Sequence, residues 1–198
     1  MWYTPVSGIW QTVWLEVVPD KYIKDVQVFS DKNQVTVSVD GVENGKVNFE
    51  RKEYELVDGK AKFTVESPEY WSPENPKLYY FTVVSGEDKV ESYFALRTLE
   101  VKTINGKKRL CLNGQPYFFH GLLDQGYYSD GIYTPADEQC MRDDIIKMKE
   151  LGFNTLRKHI KVEPERFYYE CDRLGMVVFQ DMVNCGDYSF FGDTVLPT

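Results

Sequence analysis

Between Tyr22 and Val101 apolar and polar residues alternate one by one. In QVTVSVDG, Val35, Val37 and Val39 are interleaved with Thr36, Ser38 and Asp40, and in KAKFTVES Ala61, Phe63 and Val65 repeat the pattern. Successive strand side chains point to opposite faces, so a period of two predicts strands with one buried face. The runs are separated by Asp40-Gly41, Asn44-Gly45, Asp58-Gly59 and Ser85-Gly86, residue types that turn the chain tightly. Six or seven such strands within about 80 residues predict an antiparallel β-sandwich of immunoglobulin-like scale. Asn105-Gly106 and Asn113-Gly114 predict two more hairpins directly after it.

The period then becomes helical. Met141, Ile145 and Met148 recur at i, i+4 and i+7, with Thr134 expected as the cap, Pro135 in the first turn and Gly152 as the stop. The strand FNTLR follows. A helix opening at Pro164 places Phe167, Cys171 and Leu174 on one face and ends at Gly175, and the strand MVVFQ comes next. With YFFHGLL in front, residues 117–183 read strand, helix, strand, helix, strand, which predicts parallel strands joined by crossover helices. An open doubly wound sheet and a closed eight-stranded barrel both hold this pattern, and periodicity does not choose between them.

Functional groups of parallel α/β sheets gather at the carboxyl ends of strands. Those ends carry Asp124 and Gln125, then Arg157 and His159, then Gln180 and Asp181. Carboxylates, amides, a guanidinium and an imidazole on one rim suit a polyhydroxylated ligand, whose hydroxyls both donate and accept. Each residue also has a plain structural reading. Arg157 can pair with a neighbouring strand's carboxylate, His120 and His159 can be packing residues, and Asp181 can cap a helix. Tyr127, Tyr128 and Tyr133 are either a sugar-stacking surface or the packing of a long loop. Convergence at three successive strand ends is the stronger sign.

Composition narrows the function classes. A net charge of −8 without a basic run argues against nucleic acid. No apolar run approaches the roughly 20 residues of a membrane span, and Met1-Trp2-Tyr3 does not look like a signal peptide, so a cytoplasmic location is expected. Cys111, Cys140, Cys171 and Cys185 fit neither a metal pattern nor a disulfide scaffold and read as reduced thiols, mostly buried. With only His120 and His159 as histidines, no metal site is expected. HGLLDQGYYSDG is long and aromatic where a dinucleotide site needs GxGxxG, and no cofactor is expected.

Four stretches resemble glycoside hydrolase family 2, the β-galactosidase and β-glucuronidase group. SGIWQTVWLE looks like the closing strand of the family's sugar-binding sandwich, and WSPENPKLYYFTV with YFALRTLEV looks like the end of its immunoglobulin-like domain. LCLNGQPYFFHGLLDQG and the run from Asp137 to Met182 resemble the opening of its catalytic barrel. The resemblance implies a mixed β and α/β chain: an immunoglobulin-like β-sandwich followed by a partial (β/α)8 barrel of about three strands. It divides the chain into 1–18, the last strands of a jelly-roll domain, 19–102, the sandwich, and 103–198, the barrel portion.

The implied function is a retaining exo-β-glycosidase, β-galactosidase-like, acting on carbohydrate. Such enzymes use two carboxyl groups about 5–5.5 Å apart, and the family places both glutamates after later barrel strands. No Asn-Glu pair lies beyond MVVFQ, so no catalytic residue is assigned here, and the isolated chain is expected to be inactive and to self-associate through its open strand edge. The implied substrate-binding residues are Asp124, Gln125, Arg157, His159 and Asp181. Arg157 matches the arginine that supports the family's nucleophile. The usual Ser-His-Tyr-Pro after it reads Lys158-His159-Ile160-Lys161, the first strand's usual Asn-Arg-His reads Leu123-Asp124-Gln125, and the third strand's usual Asp-Glu reads Gln180-Asp181. A non-catalytic carbohydrate-binding or scaffolding sandwich is the alternative.

Overall fold

The alternating segments fold as their period requires. The strands are β1 (Asp25–Asp31), β2 (Gln34–Asp40), β3 (Lys46–Phe49), β4 (Lys52–Glu55), β5 (Lys60–Thr64), β6 (Tyr79–Ser85) and β7 (Asp88–Phe94). They form two antiparallel sheets, ordered β1-β2-β5 and β4-β3-β6-β7. Val35, Val37 and Val39 of β2, Ala61 and Phe63 of β5, Val47 and Phe49 of β3 and Phe81 and Val83 of β6 all point into one core. Its centre is aromatic: the Phe49 and Phe63 rings stack at 4.8 Å and those of Tyr79 and Phe94 at 5.2 Å. Burying each such side chain stabilises the fold by about 1.5–3 kcal/mol.

This computed structural model describes residues 6–183, which divide into two compact units, 13–118 and 6–12 together with 119–183. The first unit also holds β8 (Leu99–Ile104), β9 (Lys107–Leu112) and β10 (Gln115–Pro116), an antiparallel sheet ordered β10-β9-β8. Both expected hairpin turns are present, Asn105-Gly106 with φ 51° and 74° and Asn113-Gly114 with φ 50° and 81°. Asn113 fastens this sheet to the sandwich. Its Nδ2 donates to Trp71 O at 2.9 Å, and its Oδ1 accepts from Thr98 N at 3.0 Å. The sheet therefore groups with the sandwich unit, although the sequence division begins the barrel portion at residue 103.

The second unit contains β11 (Gly121–Asp124), α1 (Glu138–Glu150), β12 (Thr155–Lys158), α2 (Glu165–Leu174) and β13 (Val177–Gln180). The three strands are parallel and ordered β11-β12-β13. Met141 and Ile145 of α1, Phe167 and Cys171 of α2, Leu156 and Met176 form its core, with Leu122, Met148 and Val178 packed against them. Two expectations are corrected. The α1 cap is Asp137, whose Oδ1 accepts from Cys140 N at 2.9 Å, while Thr134 is drawn into a turn by its N–H to Gly131 O at 3.3 Å. SGIWQTVWLE is no strand: among the described residues 6–18 form no ladder, and Ile9, Val13, Trp14, Leu15 and Val17 are exposed. Cys111, Cys140 and Cys171 are free thiols, and Cys185 lies outside the described residues.

Candidate functional site

The strand register decides which side chains share a face. Leu122, Leu156 and Val178 lie side by side and pack on the helices, so the next row, Leu123, Arg157 and Phe179, faces away from them. In the row after that, Asp124, Lys158 and Gln180 return to the helix side. The alternation separates the predicted residues into two groups.

Arg157 and Asp181 come together on the helix-free face at the carboxyl ends of β12 and β13. Nη2 of Arg157 donates to Asp181 Oδ2 at 2.9 Å and Nε to Oδ1 at 3.2 Å, a two-point pair that fixes the guanidinium plane. Arg157 remains 60% exposed, so the pair presents charge and unused donors to solvent rather than filling a core. The neighbouring-carboxylate reading of Arg157 is thus borne out, with the pair at the carboxyl ends of two parallel strands.

Asp124 lies on the other side of the sheet. Its Oδ2 pairs with Lys158 Nζ at 3.0 Å and its Oδ1 accepts from Gly126 N at 2.8 Å. Lys158 is wholly buried and also meets Glu163 Oε1 at 2.5 Å, and Lys161 meets the same oxygen at 3.0 Å. Lys161 Nζ donates to the carbonyls of Gly126 and Tyr133, both at 2.7 Å, and sits 4.5 Å from the Tyr133 ring centre and 5.1 Å from that of Trp10. Burial lowers the Lys161 pKa, with the Glu163 charge opposing it. Two lysines and two carboxylates balance, which is the condition for keeping such charges out of water.

The cluster holds a strained loop. Ile160, β-branched, has φ 50°, in the left-handed region, and Lys161 N donates across it to His159 O at 2.6 Å. His159 N donates to Asp124 O at 2.8 Å, so the backbones of the first two strand ends are tied together. Gln125 lines an open cleft with Leu123, Tyr127 and Met148. The aromatic loop resolves toward packing: Tyr133 meets Trp10 edge-on at 4.7 Å and Tyr127 at 5.7 Å. Burial, aided by nearby carboxylates, raises the Tyr128 hydroxyl above its ordinary value.

Lys158, Lys161, Glu163 and Tyr168 were not among the residues expected from sequence. Lys158 follows Leu156 by two, so strand alternation alone assigns it to the buried face. Among the described residues no three His, Cys, Asp or Glu side chains gather as a metal site, and no helix is long and apolar enough to cross a membrane.

Comparison with known proteins identifies the family of the chain. A family model described as glycosyl hydrolases family 2 matches residues 15–97, and another, for that family's TIM barrel domain, matches 102–193. The chain is 29% identical over 209 residues to a beta-galactosidase of Thermoanaerobacter pseudethanolicus, a match spanning 91% of this chain and 28% of that protein. It is 28% identical to beta-mannosidase B of Aspergillus clavatus, over 92% of this chain and 26% of that protein. The fold superposes on a Faecalibacterium prausnitzii beta-glucuronidase with a TM-score of 0.71 at 22% identity, covering 83% of this chain and 28% of that one. The chain thus spans between a quarter and a third of these relatives. The three parallel strands are the start of a TIM barrel following an immunoglobulin-like sandwich, and the chain belongs to glycosyl hydrolases family 2.

Proposed function

We propose that these residues supply the sandwich and the opening β/α units of a retaining exo-β-glycosidase, β-galactosidase-like, that hydrolyses O-glycosidic bonds in carbohydrate metabolism. The observation that carries this reading is the Arg157–Asp181 pair, exposed on the helix-free face at the ends of parallel strands in a family 2 barrel sequence. In a closed barrel that face lines the interior and those ends line the active-site mouth. Arg157 and Asp181 then face the sugar. Gln125 and His159 stand at the rim, and Asp124 acts through Lys158 and the Gly126 backbone rather than by direct contact.

Catalysis in this reading needs an acid/base and a nucleophilic carboxylate from later strands. The 198-residue chain alone therefore turns over no glycoside. Among the described residues β13 is an edge strand, and this edge together with exposed apolar side chains, Leu123 and Phe179 among them, supports self-association. The test uses a full-length protein carrying these residues with aryl β-galactoside, β-glucuronide and β-mannoside, following the product anomer by NMR. Net retention on one of them is expected. Inversion, or no turnover of any β-glycoside, overturns the reading, and sugar binding without turnover favours the non-catalytic alternative.

A further inference from the structure

Gln180 lies between the rim pair and helix α2. Its Oε1 accepts from the Tyr168 hydroxyl at 2.6 Å, and its Nε2 donates to Asp181 O at 2.7 Å and Lys161 O at 3.1 Å. Carbonyls only accept, so the amide nitrogen must face those two oxygens and the amide oxygen must face the tyrosine. Tyr168 in turn accepts from Glu163 N at 3.1 Å, the residue whose carboxylate holds both buried lysines. The Asp181 peptide is gripped on its other side as well, its N–H donating to Lys158 O at 3.0 Å. From that fixed peptide the Asp181 carboxylate reaches Arg157 with two hydrogen bonds.

We propose that Tyr168 and Gln180 are positioning residues for the Arg157–Asp181 pair, transmitting the order of the α2 side of the sheet to the face that meets the sugar. This deepens the glycosidase reading and rests on it for its effect on catalysis. Neither side chain need touch substrate: Gln180 sits in the helix-side row with Asp124 and Lys158. Burial raises the Tyr168 hydroxyl above its ordinary value, so it stays a donor across the neutral range. Phenylalanine at 168 keeps the ring against Phe167 and removes the hydroxyl's two hydrogen bonds, the one it donates to Gln180 Oε1 and the one it accepts from Glu163 N. Gln180 then retains its donors and loses the contact that fixes its plane.

Two measurements separate positioning from mere stability and from the glycosidase reading itself. In the 198-residue chain, the Arg157 Nε–H is followed by hydrogen exchange in NMR. Tyr168→Phe and, as a second variant, Gln180→Met should each speed its exchange about tenfold relative to wild type, as expected for a loosened two-point pair. Unchanged exchange in a folded Tyr168→Phe variant overturns the proposal whatever the kinetics show. In a full-length enzyme, Tyr168→Phe should lower kcat/KM about tenfold in the wild-type background and hardly at all beside Arg157→Ala, because the two act as one unit. Equal losses in both backgrounds reduce Tyr168 to a stabilising residue and overturn the proposal. Faster Arg157 exchange together with full activity in Arg157→Ala upholds the positioning and instead removes the pair from the sugar site.

Discussion

Gly126 is the position where the buried charge cluster can be tested by a single methyl group. Its φ is +65°, and a Cβ built there would stand 2.7 Å from Lys158 Nζ, 2.9 Å from Lys161 Cδ and closer still to Glu163 Oε1. None of these atoms is free to swing away, because each belongs to a side chain held in the ion-pair cluster. Gly126→Ala should cost about 1–2 kcal/mol for the left-handed backbone and about 1–3 kcal/mol more for overpacking. Gly152 is the control, with φ +90° and no atom within 4 Å of the added methyl, so Gly152→Ala carries the backbone cost alone. The difference between the two variants should be about 2 kcal/mol, or roughly 30-fold in an opening equilibrium. Two compact units need not unfold together, so the assay is hydrogen exchange at Ile145 and Leu156, which share a core in the same unit. Equal protection in both alanine variants would refute the packing described for Lys158 and Glu163.

Removing one member of the cluster should cost more than removing two. Glu163→Gln leaves Lys158 and Lys161 facing each other with Asp124 as their remaining carboxylate, and should destabilise the unit by about 3–5 kcal/mol in the same exchange assay. Lys158→Met combined with Glu163→Leu should recover much of that loss, since apolar pairs often replace buried ion pairs at little cost. Glu170 sets an acid limit on stability. Burial pushes its pKa up, but hydrogen bonds and charge from Arg142 and Arg173 outweigh this and hold it below the ordinary value. A folded pKa below the unfolded one, about 4.3 for glutamate, means the stabilisation is complete above that value and is lost as pH falls through the folded pKa. Glu170→Gln should therefore flatten the fall in stability below about pH 5, measured by urea melts across pH, while an unchanged slope would place the acid transition elsewhere.

The sandwich was legible because its signal is local. Val35, Val37 and Val39 show their buried face in the sequence, and Asn105-Gly106 and Asn113-Gly114 specify turns that only a few residue types adopt. The start of α1 was less legible, since Thr134-Pro135 and Asp137 are both credible caps. The choice is made by the preceding loop, where Tyr128 and Ile132 exchange backbone hydrogen bonds and Ile132 takes φ 58°. Of the strand ends, Arg157 and Asp181 could be named, and a neighbouring strand's carboxylate as a partner for Arg157, but not that this carboxylate is Asp181. Asp124 does end the first strand, but β11 begins at Gly121 rather than Tyr117, and the register that sets Asp124 beside Lys158 is not legible in the sequence. The buried lysines are not legible in composition, where nothing distinguishes Lys158 from a solvated lysine. Only its place two residues after Leu156 does.

Arg157 is proposed above to belong to the sugar site of a family 2 glycosidase. Its direct measurement is the kcat/KM of Arg157→Ala in a full-length enzyme on its preferred aryl glycoside, with folding checked by the exchange pattern of the barrel portion. Loss of a preorganised charge beside the developing transition state predicts a fall of about two orders of magnitude or more. Wild-type kinetics in a well-folded variant would remove Arg157 from the sugar site and leave the Arg157–Asp181 pair as a surface salt bridge.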